Sequence, residues 1–278
     1  MTRSLLLAAA LASTAALPGF AADALRSALD GNAPPFAQPR MDGSVEGMTV
    51  DMTNEIAKRI GREISIEAMS FSALIPALQA GTFDMLSVPF TVSQERSDAF
   101  LLTEGIWAID MAYLMRDDAA DLATTADLDG KVMATNKGNV DDQWARENAG
   151  ELGFTVESYG SLSDAAQAVK AGRADAALVN SVTGLSIAQK MGGLKLATMR
   201  EDRGIYLTYP FPKGSEALRN EVEAAIECIK ADGTAAAIYE KWLGTAPAEG
   251  SLDVTPQPGF GPEGFGNYDA TEHAPSCG

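Results

Sequence analysis

A twelve-residue pattern that occurs twice constrains the fold of this chain more than any other feature. Residues 77–88 read ALQAGTFDMLSV, and residues 168–179 read AVKAGRADAALV. In each copy a helical pattern ends at a glycine, the chain turns through an aspartate, and an apolar run follows that is typical of a strand buried in a parallel sheet. Two copies predict two α/β lobes. The alternative is chance recurrence of a common helix–glycine–strand unit.

Periodicity along the rest of the chain agrees with alternating strands and helices. Strands are predicted at residues 25–29, 63–68 and 132–134, and helices at residues 52–60, 74–80, 216–231 and 235–243. Pro76 is compatible with its helix only if it lies near the first turn, where a missing N–H costs nothing.

The N-terminal segment differs from the rest. Arg3 precedes an apolar run at residues 5–17, and Pro18, Gly19 and small residues follow. This order predicts a secretory signal peptide over residues 1–21 that is removed on export. A membrane anchor is the alternative, but it needs about 20 apolar residues and this run is shorter.

The charge balance excludes some classes of partner. The 278 residues include 38 acidic and 21 basic side chains, for a formal net charge of -17. Binding to nucleic acid or to an anionic membrane surface depends on clustered Lys and Arg, so neither is expected. The 46% hydrophobic content is enough for two lobes with cores of their own.

Cysteine and histidine are scarce. The only cysteines are Cys228 and Cys277, and the only histidine is His273. Their spacing does not suit a metal site, and no metal or other cofactor is expected. Because disulfides persist outside the cytoplasm, we expect a Cys228–Cys277 bridge that ties the tail to the first lobe. Two free thiols, or an intermolecular bridge through Cys277, are the alternatives.

A glycine-containing loop follows the strand predicted at residues 132–134. It contains Asn136, Gly138 and Asn139, and a helix that Asp141 and Asp142 open comes next. The backbone N–H groups of such a loop and the positive end of the helix dipole suit a carboxylate or a phosphate. Many loops of this kind bind nothing.

Several further blocks occur in a characteristic order. They are residues 30–36 (DGNAPPF), 71–81 (FSALIPALQAG), 91–96 (TVSQER), 172–176 (GRADA), 230–234 (KADGT) and 238–244 (IYEKWLG). With these blocks, residues 25–244 resemble the periplasmic solute-binding proteins that serve polar amino acid ABC importers.

The resemblance implies an α/β fold, a two-lobed clamp of type II with two hinge crossings that closes on a small ligand. Matching segments place the first lobe at residues 22–113 and 208–244 and the second at residues 114–207. Residues 245–278, with five prolines and six glycines, form a C-terminal tail that is expected to pack on the first lobe.

The resemblance also implies ligand-binding residues. Arg96 resembles the arginine that grips the ligand's α-carboxylate, for which a planar guanidinium fork is suited; the alternative is a surface ion pair with Glu95 or Asp98. Thr91 adds a hydroxyl, the backbone near Pro89 and Phe90 adds polar groups, and the second lobe adds amides. The second-lobe residues are Asn136, Gly138, Asn139, Val140 and Asn180.

Two first-lobe side chains are expected to select the rest of the ligand. Asp30 matches an acidic residue that favours a cationic or hydrogen-bond-donating group, although an aspartate before Gly31 is also a common turn residue. Phe71 matches an aromatic wall of the pocket, with ordinary core packing as the alternative. Phe90 and Trp107 extend that wall, with ordinary packing as the alternative for Trp107.

The chain departs from its relatives at two positions. Ala33 stands where relatives carry an aromatic residue, and Asn180 stands where they carry the aspartate that pairs with the ligand's α-ammonium group. An amide oxygen still accepts a hydrogen bond from an ammonium group but lacks the charge assistance. A modified zwitterion, an opine-like compound or a carboxylate without a free α-amine is therefore open alongside a standard amino acid.

The function implied is the periplasmic substrate-binding component of an ABC importer: a monomer and not an enzyme, which delivers an amino acid or related carboxylate to the membrane permease. One alternative is an enzyme similar to cyclohexadienyl dehydratase, with Asp30 or Glu104 as the pocket acid. Another is a sensor subunit that presents its ligand to a receptor.

Overall fold

The computed structural model describes residues 24–201, 204–275 and 277. The predicted signal peptide lies outside the described residues. The helices are α1 Met48–Arg59, α2 Phe71–Gln79, α3 Gln94–Ala99, α4 Val140–Leu152, α5 Leu162–Lys170, α6 Ser181–Met191, α7 Glu216–Ala231 and α8 Thr234–Leu243, with a 3-10 turn at Thr125–Leu128. The strands are β1 Leu25–Asp30, β2 Gln38–Pro39, β3 Val45–Glu46, β4 Ile64–Met69, β5 Met85–Leu86, β6 Phe90–Thr91, β7 Leu101–Leu102, β8 Trp107–Ala108, β9 Met111–Arg116, β10 Val132–Asn136, β11 Thr155–Tyr159, β12 Ala176–Asn180, β13 Leu194–Glu201, β14 Tyr206–Thr208 and β15 Pro210–Phe211.

The two copies of the repeat occupy equivalent places in two different sheets. The first sheet has the order β4-β1-β5, and the second has the order β11-β10-β12-β9-β13. The first copy runs from α2 into β5, which pairs in parallel with β1, and the second runs from α5 into β12, which pairs in parallel with β10. The prediction of two α/β units is therefore confirmed.

The aspartate of each copy explains why the pattern recurs. The N–H of Arg26 donates to Asp84 Oδ2 at 2.8 Å, and the N–H of Val132 donates to Asp175 Oδ2 at 2.8 Å. In both copies the carboxylate thus satisfies an amide near the start of the neighbouring parallel strand, β1 or β10. Gly81 and Gly172, with φ of 73° and 72°, take the left-handed conformation that ends each helix.

The second sheet is buried on both faces, as the apolar runs predicted. Along β12, Ala177 and Val179 pack beneath α5, whereas Ala176 and Leu178 belong to the core on the opposite face with Met133. Successive side chains of a strand point to opposite faces, so a strand covered on both sides must be apolar throughout.

The first sheet is covered in the same way. Helices α1, α7 and α8 bury Met52, Ile56, Ile226 and Ile229 in one core. Helix α2 buries Leu74 and Leu78 in another core. We refer to the elements around the first sheet as the first lobe and to those around the second sheet as the second lobe.

The chain passes twice between the lobes, through segments that lie side by side. Strands β8 and β14 pair antiparallel, and the N–H of Ile109 donates to the carbonyl of Ile205 at 3.2 Å. The boundary predicted at residues 113/114 falls within β9, which pairs with the second sheet from Met111 onward. The boundary predicted at residues 207/208 falls within β14, which pairs with β6 and β8. We therefore propose that the crossings lie at residues 109–110 and 204–205.

Helix α2 begins three residues earlier than predicted, so Pro76 lies inside the helix rather than in its first turn. The earlier start places Phe71 in the core with 6% of its surface exposed. Proline cannot donate to the carbonyl four residues back, here that of Ser72. Both residues are exposed, so water can serve that carbonyl.

The tail is joined to the first lobe by the predicted disulfide. Cys228 on α7 and Cys277 are bonded, with an S–S distance of 2.01 Å and a sequence separation of 49 residues. The N–H of Gly261 donates to Glu223 Oε1 at 2.6 Å, and Asn267 Nδ2 donates to the carbonyl of Ser97 on α3 at 2.5 Å. Polar contacts, rather than an apolar core, thus hold much of this Pro/Gly-rich segment.

Within the described ranges, no helix is both long and apolar enough to cross a membrane.

Candidate ligand-binding cleft

A small cleft is lined by residues of both lobes. Three interior strands of the two sheets end there, β1 at Asp30, β10 at Asn136 and β12 at Asn180. Ligands of open α/β sheets commonly bind outside the carboxyl ends of the strands. The lining residues are Asp30, Ala33, Phe71, Val88, Pro89, Thr91, Arg96, Ile109, Met111, Asn136, Asn139, Asp141, Leu162, Asn180, Thr183 and Leu207.

Arg96 enters the cleft from the first turn of α3. Ser93 caps this helix by accepting from the N–H of Arg96 at 3.3 Å. The guanidinium donates through Nη1 to the carbonyl of Thr91 at 3.0 Å and lies 4.0 Å from the ring centroid of Phe90. With 8% of its surface exposed, Arg96 is a buried and oriented cation, not the surface residue of the alternative interpretation.

The cleft has an uneven charge. Burial lowers the pKa of Arg96 to about 10, and the negative charges of Asp141 and Glu95 partly oppose this decrease. The side chain therefore stays cationic at neutral pH. Of the residues that line the cleft, Asp30 and Asp141 are acidic and Arg96 is basic. A ligand carboxylate at Arg96 is thus best accompanied by a positive group elsewhere on the ligand.

Asp30 combines both roles considered for it. Its Oδ1 accepts from the N–H of Asn32 at 3.0 Å, which is the turn interaction, and its Oδ2 accepts from Asn136 Nδ2 at 3.2 Å. Only 2% of Asp30 is exposed, and burial raises the pKa of its carboxyl group although both hydrogen bonds oppose the rise. A cation placed beside Asp30 would favour its ionised form.

Two of the predicted aromatic wall residues lie elsewhere. Phe71 lines the cleft as expected. Side chains alternate along a strand, so Pro89 and Thr91 face the cleft while Phe90 between them points away from it. The ring of Phe90 instead lies under the guanidinium of Arg96. Trp107 is core: its ring centroid lies 5.4 Å from that of Phe36.

The glycine loop does not offer the amides that were predicted. The N–H of Gly138 donates to Asp142 Oδ2 at 3.1 Å, and the N–H of Asn139 donates to the carbonyl of Asn136 at 3.2 Å. Both amides are satisfied within the loop, and neither Gly138 nor Val140 lines the cleft. The third predicted donor is the N–H of Val140. Val140 is the first residue of α4, and backbone N–H groups in the first turn of a helix have no acceptor within that helix.

Asn180 is also engaged differently from the prediction. It is the N-cap of α6, and its Oδ1 accepts from the N–H of Thr183 at 2.8 Å. One lone pair of the oxygen expected to receive an ammonium group is therefore used in the helix cap, while its second lone pair and the two N–H groups of the amide remain.

The lobes touch across the cleft. Asn136 of the second lobe reaches Asp30 of the first, as described above, and Gln143 Nε2 donates to Glu95 Oε2 at 3.1 Å. Lys190 on α6 donates to the side chain of Gln38. Contacts of this kind require the two lobes to be close together, so the structure is a closed clamp.

The family model of the bacterial extracellular solute-binding proteins, family 3, matches residues 25–245. The chain belongs to this family. The match covers both lobes and ends where the tail begins.

Relatives of this solute-binding protein extend over most of its length. The L-cystine-binding protein TcyJ of Escherichia coli strain K12 is 28% identical over 78% of this chain and 81% of its own length. The L-arginine-binding protein of Pseudomonas aeruginosa is 28% identical over 87% of this chain and 97% of its own length. An ancestral arginine-binding protein, solved bound to arginine, matches with a TM-score of 0.76 and 27% identity over 81% of this chain and 100% of its own.

Glu104 lies outside the cleft of this solute-binding protein. Its carboxylate is 3.0 Å from Lys230 Nζ, and both side chains are fully buried. Of the two acids considered for catalysis, only Asp30 lines the cleft. In the part of the chain that the structure describes, no group of three or more His, Cys, Asp and Glu side chains is placed to hold a metal ion.

Sequence reasoning did not identify several lining residues as parts of the site. Asp141 is the second residue of α4, whose N-cap is Asn139. Thr183 is the third residue of α6, whose N-cap is Asn180. An asparagine N-cap at or shortly after the end of a buried strand could have marked both. Met111 and Leu162 have no comparable signal, because only packing decides which apolar residues face the cleft.

Proposed function

We propose that this solute-binding protein captures an amino acid or a related small zwitterion between its lobes. Arg96 would hold the ligand's carboxylate, and Asp30 would face a cationic or hydrogen-bond-donating group at another position. The relatives named for L-arginine and L-cystine support an amino acid or a close derivative as the ligand.

A single observation carries this proposal: a buried guanidinium and a buried carboxylate line the same small cleft between two lobes. The guanidinium is pre-oriented by Thr91 and Phe90, so little side-chain entropy is lost when an anion binds. Closure around a zwitterion would give each of its charged ends an opposite partner away from water.

The test is to replace Arg96 by alanine, with Arg59→Ala as the control. Arg59 pairs with Glu55 and Asp232 outside the cleft. Ligands would first be found by thermal shift over amino acids, betaines, opines and small organic acids, then titrated calorimetrically. Loss of one partner of a buried charge pair costs about 2–5 kcal/mol, so Arg96→Ala should abolish tight binding and Arg59→Ala should not. Wild-type affinity in Arg96→Ala would contradict the proposal.

We further propose that the protein is exported to the periplasm, is monomeric, and delivers its ligand to an ABC permease without changing it chemically. Ligand-dependent capture of the permease by the immobilised protein would support this role. Capture of a receptor instead would indicate the sensor alternative, and turnover of prephenate or arogenate by the purified protein would indicate the enzyme alternative.

A further inference from the structure

We propose that three residues of the C-terminal tail, Phe265, Gly266 and Asn267, are positioning residues for Arg96. We refer to them as the tail contact. They hold helix α3 and the aromatic core beside it, so that the guanidinium of Arg96 faces a ligand carboxylate. The inference rests on the proposed function, in which Arg96 binds that carboxylate. It goes beyond the family assignment, because the family match ends at residue 245.

Helix α3 is too short to fix the position of Arg96 by itself. It has six residues, Gln94–Ala99, and a helix of this length is marginal without packing. At its N-terminus, Ser93 accepts from the N–H of Arg96 at 3.3 Å. At its C-terminus, the last carbonyl groups have no donor within the helix. Their partners must come from elsewhere in the chain or from water.

The tail supplies a donor to the C-terminal end of α3. Asn267 Nδ2 donates to the carbonyl of Ser97 at 2.5 Å and to that of Phe100, the C-cap of α3, at 3.4 Å. Lys213 Nζ reaches the Ser97 carbonyl only at 3.5 Å, so the amide of Asn267 is its principal partner. Asn267 thus caps the helix that carries Arg96.

The backbone of the tail also lies against α3. The N–H of Gly266 donates to Ser97 Oγ at 3.2 Å, and Ser97 Oγ donates in turn to the carbonyl of Gln94 at 2.9 Å. A Cβ atom on Gly266 would lie 2.9 Å from Asp98 Oδ1, so the two segments are in close contact. Through Ser97 the tail is connected to the first turn of α3, where Arg96 lies.

The backbone conformation of Asn267 suits this contact. Among the residues that the structure describes, it is the only one other than glycine with a positive φ, which is 64°. Asparagine adopts this conformation more readily than most residues, whereas a bulky or β-branched residue would be strained. Asn267 therefore provides both the turn of the chain and the amide that reaches α3.

Phe265 supports the aromatic side of the arrangement. It packs against the core that contains Phe71 and Phe90. The guanidinium of Arg96 lies 4.0 Å from the ring centroid of Phe90, and Phe71 lines the cleft. The tail contact thus reaches both structures that orient Arg96, the helix that carries it and the core beneath its side chain.

The experiment replaces Asn267 by glycine. Glycine adopts a φ of 64° without strain, so Asn267→Gly removes the amide donor and keeps the backbone conformation accessible. The probes are L-arginine, L-lysine and L-methionine, each compared with its carboxamide, which lacks the carboxylate. We expect Asn267→Gly to bind the tightest of these acids about three- to tenfold more weakly, the factor for loss of one hydrogen bond. Its carboxamide should be weakened less, because it depends less on the guanidinium.

The control is His273→Ala, which also removes a hydrogen bond between the tail and the first lobe. His273 Nε2 lies 2.8 Å from Glu227 Oε1, which belongs to α7 and not to α3. We expect His273→Ala to lower the melting temperature and to leave the dissociation constants of acid and carboxamide unchanged. This comparison separates positioning of Arg96 from a general loss of stability.

The outcomes also separate this inference from the proposed function. If Arg96→Ala abolishes binding of the acid but Asn267→Gly binds it like the wild type, the proposed function stands and the inference is overturned. Equal weakening of acid and carboxamide by Asn267→Gly also overturns it, because the effect would then not act through the carboxylate. If the wild type binds none of the acids, both fail.

Discussion

At the scale of single residues, the polar side chains that end the central strands are shared between the fold and the cleft. Asp30 forms a turn with Asn32 and also reaches Asn136, while Asn180 caps α6. A residue type therefore does not define what it offers a ligand. The atoms that remain after local hydrogen bonds are satisfied decide it.

The raised pKa of Asp30 predicts a pH dependence of binding. Burial raises the pKa of this carboxyl group in the closed clamp, and a cation bound beside it would lower it again. Binding then releases a proton at a pH between these two pKa values, so affinity for a cationic ligand should fall as the pH is lowered through the raised pKa.

Calorimetric titration of a cationic ligand from about pH 4 to pH 8 checks this expectation. Asp30→Asn, which has nearly the same shape, should bind more weakly at neutral pH and should lose most of the pH dependence. A wild-type affinity that stays constant over this range would show that Asp30 does not face a cation.

At the scale of elements, the tail supports the helix that carries Arg96. Asn267 donates to the carbonyl of Ser97 on α3, and the N–H of Gly266 donates to Ser97 Oγ at 3.2 Å. Ser97 is the neighbour of Arg96 and is fully buried. Tail and cleft thus share a short helix, although the family match ends before the tail.

Removal of the disulfide should destabilise the protein. The bridge closes a loop with a separation of 49 residues, for which chain entropy gives up to about 4 kcal/mol of stabilisation. We expect the double variant Cys228→Ser and Cys277→Ser to unfold at a lower urea concentration than the wild type. The wild type with reductant should match the variant, and equal midpoints for variant and oxidised wild type would mean that the tail does not contribute to the cooperative unit.

At the scale of the whole molecule, closure depends on groups that meet only when the lobes come together. Asp30 with Asn136, and Glu95 with Gln143, are such pairs. They join side chains that belong to different lobes, and the crossings that we propose at residues 109–110 and 204–205 are where the lobes would rotate. A ligand that contacts both lobes binds only the closed form fully and so shifts the population toward it.

Small-angle scattering should detect this shift. We expect the protein without ligand to have a larger radius of gyration than the same protein saturated with the best ligand of the thermal-shift panel. Arg96→Ala at the same ligand concentration should keep the larger radius, because it would not bind. Identical radii of the wild type with and without ligand would contradict a closure mechanism.

The sequence alone determined the architecture, because the features that specify it are local. The helix that ends at Gly81 or Gly172 and the apolar strand after Asp84 or Asp175 depend on backbone conformation and on burial of both faces of a sheet, and both leave periodic traces. The resemblance of its motif predicted that Arg96 faces the cleft, and the presence of only two cysteines in the sequence limited the possible pairings.

Tertiary structure decided which atoms are available in the cleft. Gly138 and Asn180 were expected to offer an amide and an oxygen, but the amide of Gly138 already donates to Asp142 and the oxygen of Asn180 already accepts one bond from the N–H of Thr183. Phe90 and Pro89 are adjacent in sequence, and only strand pairing sets which one faces the ligand. A donor or acceptor can form hydrogen bonds with groups from several parts of the chain. The sequence pattern does not show which of these groups the fold places beside it.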